Sequence, residues 1–355
     1  MQQPAILNEL RRMSARIGNN ILLVQGAGGN SSIKDGDVLW VKASGTWLAD
    51  AEDKDIFVPV LLSGVRKALA EGNECMPLIP QRTETTMRAS IETSLHALLP
   101  YPVVLHVHSV NAIAWSVLSD AEDDLAARLH GLSWRRVDYH HPGLPLARAI
   151  SPIAVQGEVD VLILGNHGLV VGAETCEAAE ALVNDVEQRL ALAPRAGAAG
   201  HDRALDQLCL DTDYRRPQEA LCHKLATDPH NLAIATRGSL YPDHVVFLGP
   251  ALPALAHHGS LAAIERRAEL GGFPPPVAML VPGRGTVIRK DASPGAEAML
   301  TCLALVVSRL PLNAAIRYLS SHDEQALLNW GAERYRQQMT SNRAANRPAH
   351  NETTD

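Results

Sequence analysis

Aromatic residues are scarce in this chain. Phe, Trp and Tyr make up 4% of 355 residues, so a core has to be packed from Ala, Leu and Val. Cysteines are few as well. Cys75, Cys176, Cys209, Cys222 and Cys302 are odd in number, scattered and free of CxxC spacing. That excludes a disulfide framework and a cysteine zinc site, and it fits reduced thiols in a cytosol. No run of 18 apolar residues occurs, which argues against a membrane-spanning helix. The N-terminal Met-Gln-Gln-Pro-Ala-Ile-Leu lacks the basic and then apolar regions of a secretory signal. Positive charge is not in excess, since the formal net charge is −7, so no nucleic-acid surface is expected. No GxGxxG fingerprint stands between a strand and a helix, so NAD is not expected either. These absences describe a cytoplasmic protein with neither membrane nor nucleic-acid partners.

What the chain does hold is organised around Ser90-Ile-Glu-Thr-Ser-Leu-His-Ala-Leu-Leu-Pro-Tyr-Pro-Val-Val-Leu-His-Val-His-Ser109. Ser90 reads as an N-cap, and Glu92 and His96 stand four apart on one helical face. Pro100 and Pro102 stop the helix. A β-branched run then closes on His106-Val107-His108. Side chains alternate along a strand, so the two imidazoles face the same way, about 6–7 Å apart. That is a preformed pair of metal ligands, although a strand histidine taken alone is ordinarily a core or surface residue. A third ligand is offered by Val161-Leu-Ile-Leu-Gly-Asn-His167-Gly-Leu-Val-Val171, an apolar strand broken at Gly165-Asn166 with a histidine in the break.

Two small-residue loops accompany these segments. Gly26-Ala-Gly-Gly-Asn-Ser-Ser32 permits positive φ and lets backbone N–H groups approach an anion; read alone, it could equally be a tight turn. Lys42-Ala-Ser-Gly-Thr46 sets a cation at the edge of the second loop.

Gly28-Gly-Asn-Ser-Ser32, Lys42-Ala-Ser-Gly45, Ser90-Ile-Glu92 with His96, His106-Val-His108 and Asn166-His-Gly168, in that order, resemble the class II aldolase/adducin family over residues 5–195. The resemblance implies a three-layer α/β/α domain with a largely antiparallel central sheet. It implies one divalent metal ion, zinc foremost with manganese, cobalt or iron as alternatives, on His106, His108 and His167. Glu92 becomes the acid/base, and Tyr139 falls near a catalytic-site tyrosine of several aldolases. Asn30, Ser44, Gly45 and Ser90 map to the substrate phosphate, and Gly29 and Lys42 join them as substrate-binding candidates. One position departs from the fuculose-phosphate pattern: Ile91 replaces the second of two serines before the glutamate. The reaction implied is retro-aldol cleavage of a ketose phosphate or related sugar acid through a metal-bound enediolate. Dehydration, epimerisation or decarboxylation at the same site, or an adducin-like scaffold, are the alternatives. Aldolases of this family form rings, which implies a homo-oligomer, tetramer first and dimer second.

Along the chain, residues 5–18 read as an amphipathic helix, Ile21–Gln25 as a strand, 55–75 as a helix, Asn111–Leu129 as helical and Trp134–Tyr139 as a strand. His140 and His141, being adjacent, face opposite sides and should not share an ion. A long helix over 174–192 closes a first domain, 1–195, and the small-residue segment 193–200 links it to a second, smaller α/β domain, 201–340. There a strand is expected at 232–236, and Asp243-His244 reads as a strand cap or, less often, as a second polar site. Tyr241-Pro-Asp-His244 and Leu280-Val-Pro-Gly283 resemble the segment that follows the aldolase domain in rhamnulose-phosphate aldolase/alcohol dehydrogenase proteins. Residues 341–355 are polar and read as a disordered tail.

Overall fold

A computed structural model describes residues 5–74, 76–79, 87–156 and 159–345. The first unit opens with α1 (Ile6–Gly18), whose Leu7, Leu10, Met13 and Ile17 are buried at helical spacing. Next come β1 (Asn30–Asp35), β2 (Val38–Lys42), β3 (Phe57–Leu61) and α2 (Leu62–Ala70). They are followed by α3 (Thr93–Leu98), β4 (Val103–Val107), α4 (Val110–Ser116), α5 (Glu122–Arg128) and β5 (Trp134–Val137). The unit ends with α6 (Leu144–Gln156), β6 (Val161–Leu164), β7 (Gly168–Ala173) and α7 (Cys176–Leu190).

The seven strands form one sheet in the order β3-β2-β1-β4-β7-β6-β5. Every neighbouring pair is antiparallel except β5–β6. Helices cover both faces. On one face Ile33, Val103, Leu105, Val107, Ile163 and Leu169 pack with α1, α4 and α7. On the other, Val104, Leu162, Leu164 and Val170 pack with Leu95 of α3 and Leu146 and Ile150 of α6, and Leu39, Val41, Val58 and Val60 pack under α2. The expected three-layer α/β/α architecture is therefore present.

The second unit contains α8 (Asp202–Leu208), β8 (Tyr214–Arg215), α9 (Lys224–Thr227), α10 (Pro229–Arg237), α11 (Pro242–Leu248) and α12 (Leu261–Gly271). It finishes with β9 (Ala278–Val281), β10 (Gly285–Arg289), α13 (Pro294–Val307), α14 (Ser321–Asn329) and α15 (Gly331–Ala345). Its strands make a small antiparallel sheet, β8-β10-β9. Segment 193–200 connects the units without separating their cores. A single apolar cluster runs from Leu7 and Leu10 through Ile113 and Trp115 to Val245, Leu300, Leu303 and Val306.

Several local expectations are corrected. Ile21–Gln25 is a turn: Leu22 N–H donates to the Asn20 side chain, and Leu23 and Val24 donate to the Asn20 carbonyl. Residues 55–75 split into β3 and α2, because Phe57-Val-Pro-Val alternates against β2 before the helical run begins. Residues 111–129 break into α4 and α5. Residues 232–236 lie inside helix α10; Asp228 caps it by accepting from the His230 and Asn231 N–H groups, with Pro229 at its first position. Helix α15 continues to Ala345, beyond the boundary expected at 341, and residues 346–355 of the expected tail lie outside the described residues.

Candidate metal centre

The alternation of β4 puts His106 on the same sheet face as Val104, towards α3, and β1 brings Asn30 directly opposite it. His108 follows just past the end of β4. His167 sits in the β6–β7 turn, where Asn166 takes a positive φ of 51°. Asparagine tolerates that conformation. Its amide also donates to the carbonyls of Leu240 and Arg317, both at 2.9 Å, so the second unit holds the turn in place.

All three imidazoles are buried, and each offers a ligand atom within 4.8 Å of the other two. The Nε2 atoms of His106 and His108 are 3.1 Å apart. His106 Nδ1 lies 3.0 Å from the Leu169 carbonyl and His108 Nδ1 lies 3.0 Å from Oδ2 of Asp243. A carbonyl and a carboxylate only accept, so they assign the proton of each neutral ring to Nδ1. The two Nε2 lone pairs then converge. Glu92 faces the same point, with Oε2 3.3 Å from His106 Nε2 and Oε1 3.5 Å from His167 Nε2. Nitrogens 2.0–2.1 Å from one tetrahedral ion stand about 3.4 Å apart. Lone pairs aimed at one another at nearly that spacing are a donor set that fits a divalent cation.

Electrostatics agree with this assignment. Burial pushes the His167 imidazole down to about 3 and lowers His106 too, against the pull of Glu92. Burial pushes the Glu92 carboxyl up, but the three histidines and a hydrogen bond from Asn30 outweigh it and hold the group at about 2. At neutral pH His106 and His167 are therefore neutral and Glu92 is ionised, the protonation states that metal binding needs.

Glu92 occupies the N-cap position of α3, and Ser90, expected there, instead accepts from the Glu92 N–H at 3.3 Å. His96 does not pair with the Glu92 side chain. Asn30 intervenes, donating to Glu92 Oε2 at 2.9 Å and accepting from His96 Nε2, while Ser32 meets His96 Nδ1 at 2.7 Å.

The substrate-binding candidates Gly29, Asn30, Lys42, Ser44, Gly45 and Ser90 line one pocket with Glu92. Lys42 acts there as a strut, its Nζ donating to the carbonyls of Ala27 at 3.0 Å and Thr46 at 2.7 Å and so tying the two loops together. Burial pushes its pKa down to about 7. Tyr139 is not among the residues lining this pocket. Its hydroxyl is buried without a hydrogen-bond partner, and its pKa is raised by burial and by Asp323 of α14. His141 packs edge-on against Trp330, away from the three histidines.

Asp243 and Arg336 were not expected here. Asp243 belongs to the first turn of α11 rather than to a strand cap, and Arg336 of α15 pairs with it and lines the pocket. His244 turns away, its Nδ1 accepting from the Leu240 N–H. The adjacent Asp-His pair was visible in the sequence; its register with His108 was not.

The family model for the Class II Aldolase and Adducin N-terminal domain matches residues 9–193, just over half of the chain. The chain belongs to that family. Bacillus subtilis (strain 168) has a curated relative of this aldolase/adducin chain, the uncharacterised oxidoreductase YuxG, 30% identical over 194 residues. The alignment covers 50% of this chain and 28% of YuxG, so the chain spans little more than a quarter of that relative. Among solved structures, the N-terminal class II aldolase domain of a conserved Thermoplasma acidophilum protein is 24% identical with a TM-score of 0.45, covering 54% of this chain and 94% of that one. L-fuculose-1-phosphate aldolase from Thermus thermophilus is 18% identical with a TM-score of 0.38, covering 53% and 92%. The family match ends at residue 193, so Asp243 and Arg336 lie beyond it.

Proposed function

We propose that this chain is a divalent-metal-dependent lyase that cleaves a carbon–carbon bond in a ketose phosphate or related sugar acid. The observation that carries the reading is the convergence of the His106, His108 and His167 rings on one point opposite Glu92. His106, His108 and His167 would hold the ion, with zinc the first choice. When bound, the ion would supply Lewis-acid polarisation of the substrate carbonyl. The remaining work falls to the chain's own side chains. Glu92, ionised at neutral pH, takes the proton of the hydroxyl that becomes a carbonyl as the carbon–carbon bond breaks, and returns it to the carbon left with the bonding pair. Asn30 aims the Glu92 carboxylate through its 2.9 Å hydrogen bond. Ser44, Gly45 and Ser90 line the pocket with Glu92 and receive the polar or anionic end of the substrate. Lys42 ties together the two loops that supply them.

The test is a panel of ketose 1-phosphates and sugar acids offered to zinc-loaded protein, with release of the three-carbon fragment followed by coupled assay. Retro-aldol release supports the reading. Turnover without carbon–carbon cleavage would move it to epimerisation, dehydration or decarboxylation. Stoichiometric metal with no turnover on any of these substrates, or no bound metal at all, would favour a scaffold.

A further inference from the structure

A line of four buried charged or ionisable groups joins the two units. His108 Nδ1 is 3.0 Å from Asp243 Oδ2, Asp243 Oδ1 pairs with the Arg336 guanidinium, and Arg336 Nε is 3.0 Å from Glu333 Oε2. The four residues are 2–8% exposed. Room for the first contact exists because residue 28 is glycine: a Cβ there would stand 2.7 Å from His108 Nδ1 and 3.1 Å from Asp243 Oδ2.

We propose that Asp243 is a positioning residue of the metal centre and that Arg336 of α15 holds it in place, so the second unit sets how tightly the first unit binds its ion. The proposal rests on the metal reading above. A carboxylate on Nδ1 fixes the tautomer of an imidazole, aims Nε2 and raises its basicity. Asp243 lies at Nδ1, the nitrogen opposite the converging Nε2, so it acts through His108 rather than as a ligand. An ionised carboxylate buried this deeply needs a compensating cation, and Arg336 is that cation. A purely architectural ion pair would be complete with Asp243 and Arg336. Here the second carboxylate oxygen lies 3.0 Å from the ring nitrogen of a candidate metal ligand.

The experiment measures zinc affinity by competition with a chromophoric chelator on the full chain. Wild type is compared with Asp243→Asn, Arg336→Met and, as a control on the exposed side of the same helix, Arg334→Met. Circular dichroism establishes that each variant is folded. Outer-shell partners typically contribute about 10–100-fold in metal affinity. Asp243→Asn should weaken zinc within that range, Arg336→Met should shift it in the same direction, and Arg334→Met should leave it unchanged. The imidazole ¹⁵N–¹H spectrum of metal-free protein gives a second readout. His108 should carry its proton on Nδ1 in wild type and lose that preference in Asp243→Asn. A merely structural role would lower thermal stability without moving the affinity of the folded protein or the tautomer. Folded Asp243→Asn that binds zinc within twofold of wild type overturns this inference and leaves the metal reading standing. Wild type with no stoichiometric zinc overturns both.

Discussion

Asn30 of β1 is the direct cross-strand partner of His106 of β4. Directly paired residues project to the same face of a sheet, with Cβ atoms about 4.5–5.5 Å apart. That one register brings the candidate acid/base and a metal-ligand candidate together. Asn30 donates to Glu92 at 2.9 Å, and Glu92 lies 3.3 Å from His106. Ser32, two residues along β1, lies opposite Val104 on the same face and fixes His96 through a 2.7 Å contact. His96 in turn fixes the Asn30 carbonyl. The asparagine amide is therefore held at both ends, and the carboxylate it supports cannot rotate freely.

Glu92→Gln should retain zinc and fold but lose turnover by about 10²–10⁴, the usual worth of a positioned acid/base. The amide preserves the shape of the side chain and removes its capacity to take a proton. Steady-state kinetics beside metal analysis checks this. Near wild-type turnover would place proton transfer elsewhere, with Tyr139, whose buried hydroxyl has no hydrogen-bond partner among the described residues, the next candidate.

His106→Ala should differ in kind, since it removes a candidate ligand nitrogen. Zinc content, measured by elemental analysis after dialysis, should fall well below one per chain, and activity should fall with it. Metal binding also stabilises the folded state by mass action. Added zinc should therefore raise the melting temperature of chelated wild type and do so much less for the variant. Full zinc occupancy in His106→Ala would remove this residue from the ligand set.

How much of this is legible in the sequence follows from the range of each interaction. The HxH pair, the asparagine-histidine turn and the small-residue loops are local patterns, and the period of a strand is enough to aim His106 and His108 together. Glu92 and His96 read as a helical i,i+4 pair, but Asn30, far away in sequence, stands between them. Lys42 reads only as a cation near a loop; its two carbonyl acceptors depend on how the loops cross. Asp243 is legible as a residue type and illegible as a partner, because its contact with His108 depends on how α11 docks against the first unit. The strand expected at 232–236 is a misreading that local chemistry could have prevented, since Asp228-Pro229 is a helix start.

Metal-free protein should lose stability as pH falls below about 6.5. Burial pushes His96, His167 and His244 down to about 3, so they stay neutral in the folded chain. The unfolded chain protonates them near the ordinary value of about 6.5. The unfolded state thus binds more protons, and stability present above pH 6.5 drains away below it, at about 1.4 kcal/mol per pH unit for each such histidine. Glu333 works in the opposite sense and offsets one of them, because burial, opposed by Arg336, pushes its carboxyl up to about 7. Urea unfolding at pH 6.5, 5.8 and 5.0 measures the slope above the range where unfolded carboxylates titrate. His244→Asn should make the slope shallower by about one proton. An unchanged slope in that variant would show that His244 titrates normally.

Gly28→Ala should damage the metal centre while leaving the sheet intact. Gly28 is not needed for an unusual backbone angle; it is absent from the positive-φ glycines, which include Gly26 and Gly29. What it supplies is space. A Cβ at this position would meet His108 Nδ1 at 2.7 Å, the Gln25 carbonyl at 3.0 Å and Asp243 Oδ2 at 3.1 Å. The carbonyl belongs to a backbone turn closed by the Gly28 N–H itself, donating to Gln25 at 3.0 Å, and cannot easily withdraw. The strain is therefore relieved at the His108–Asp243 contact, where side chains can swing. Zinc affinity should fall by about tenfold or more, the scale of losing an outer-shell partner, with near-unchanged far-ultraviolet circular dichroism. Combining Gly28→Ala with Asp243→Asn should cost less than the sum of the two changes, because both act on one contact. Strictly additive losses in the chelator competition would show that the methyl group acts by another route.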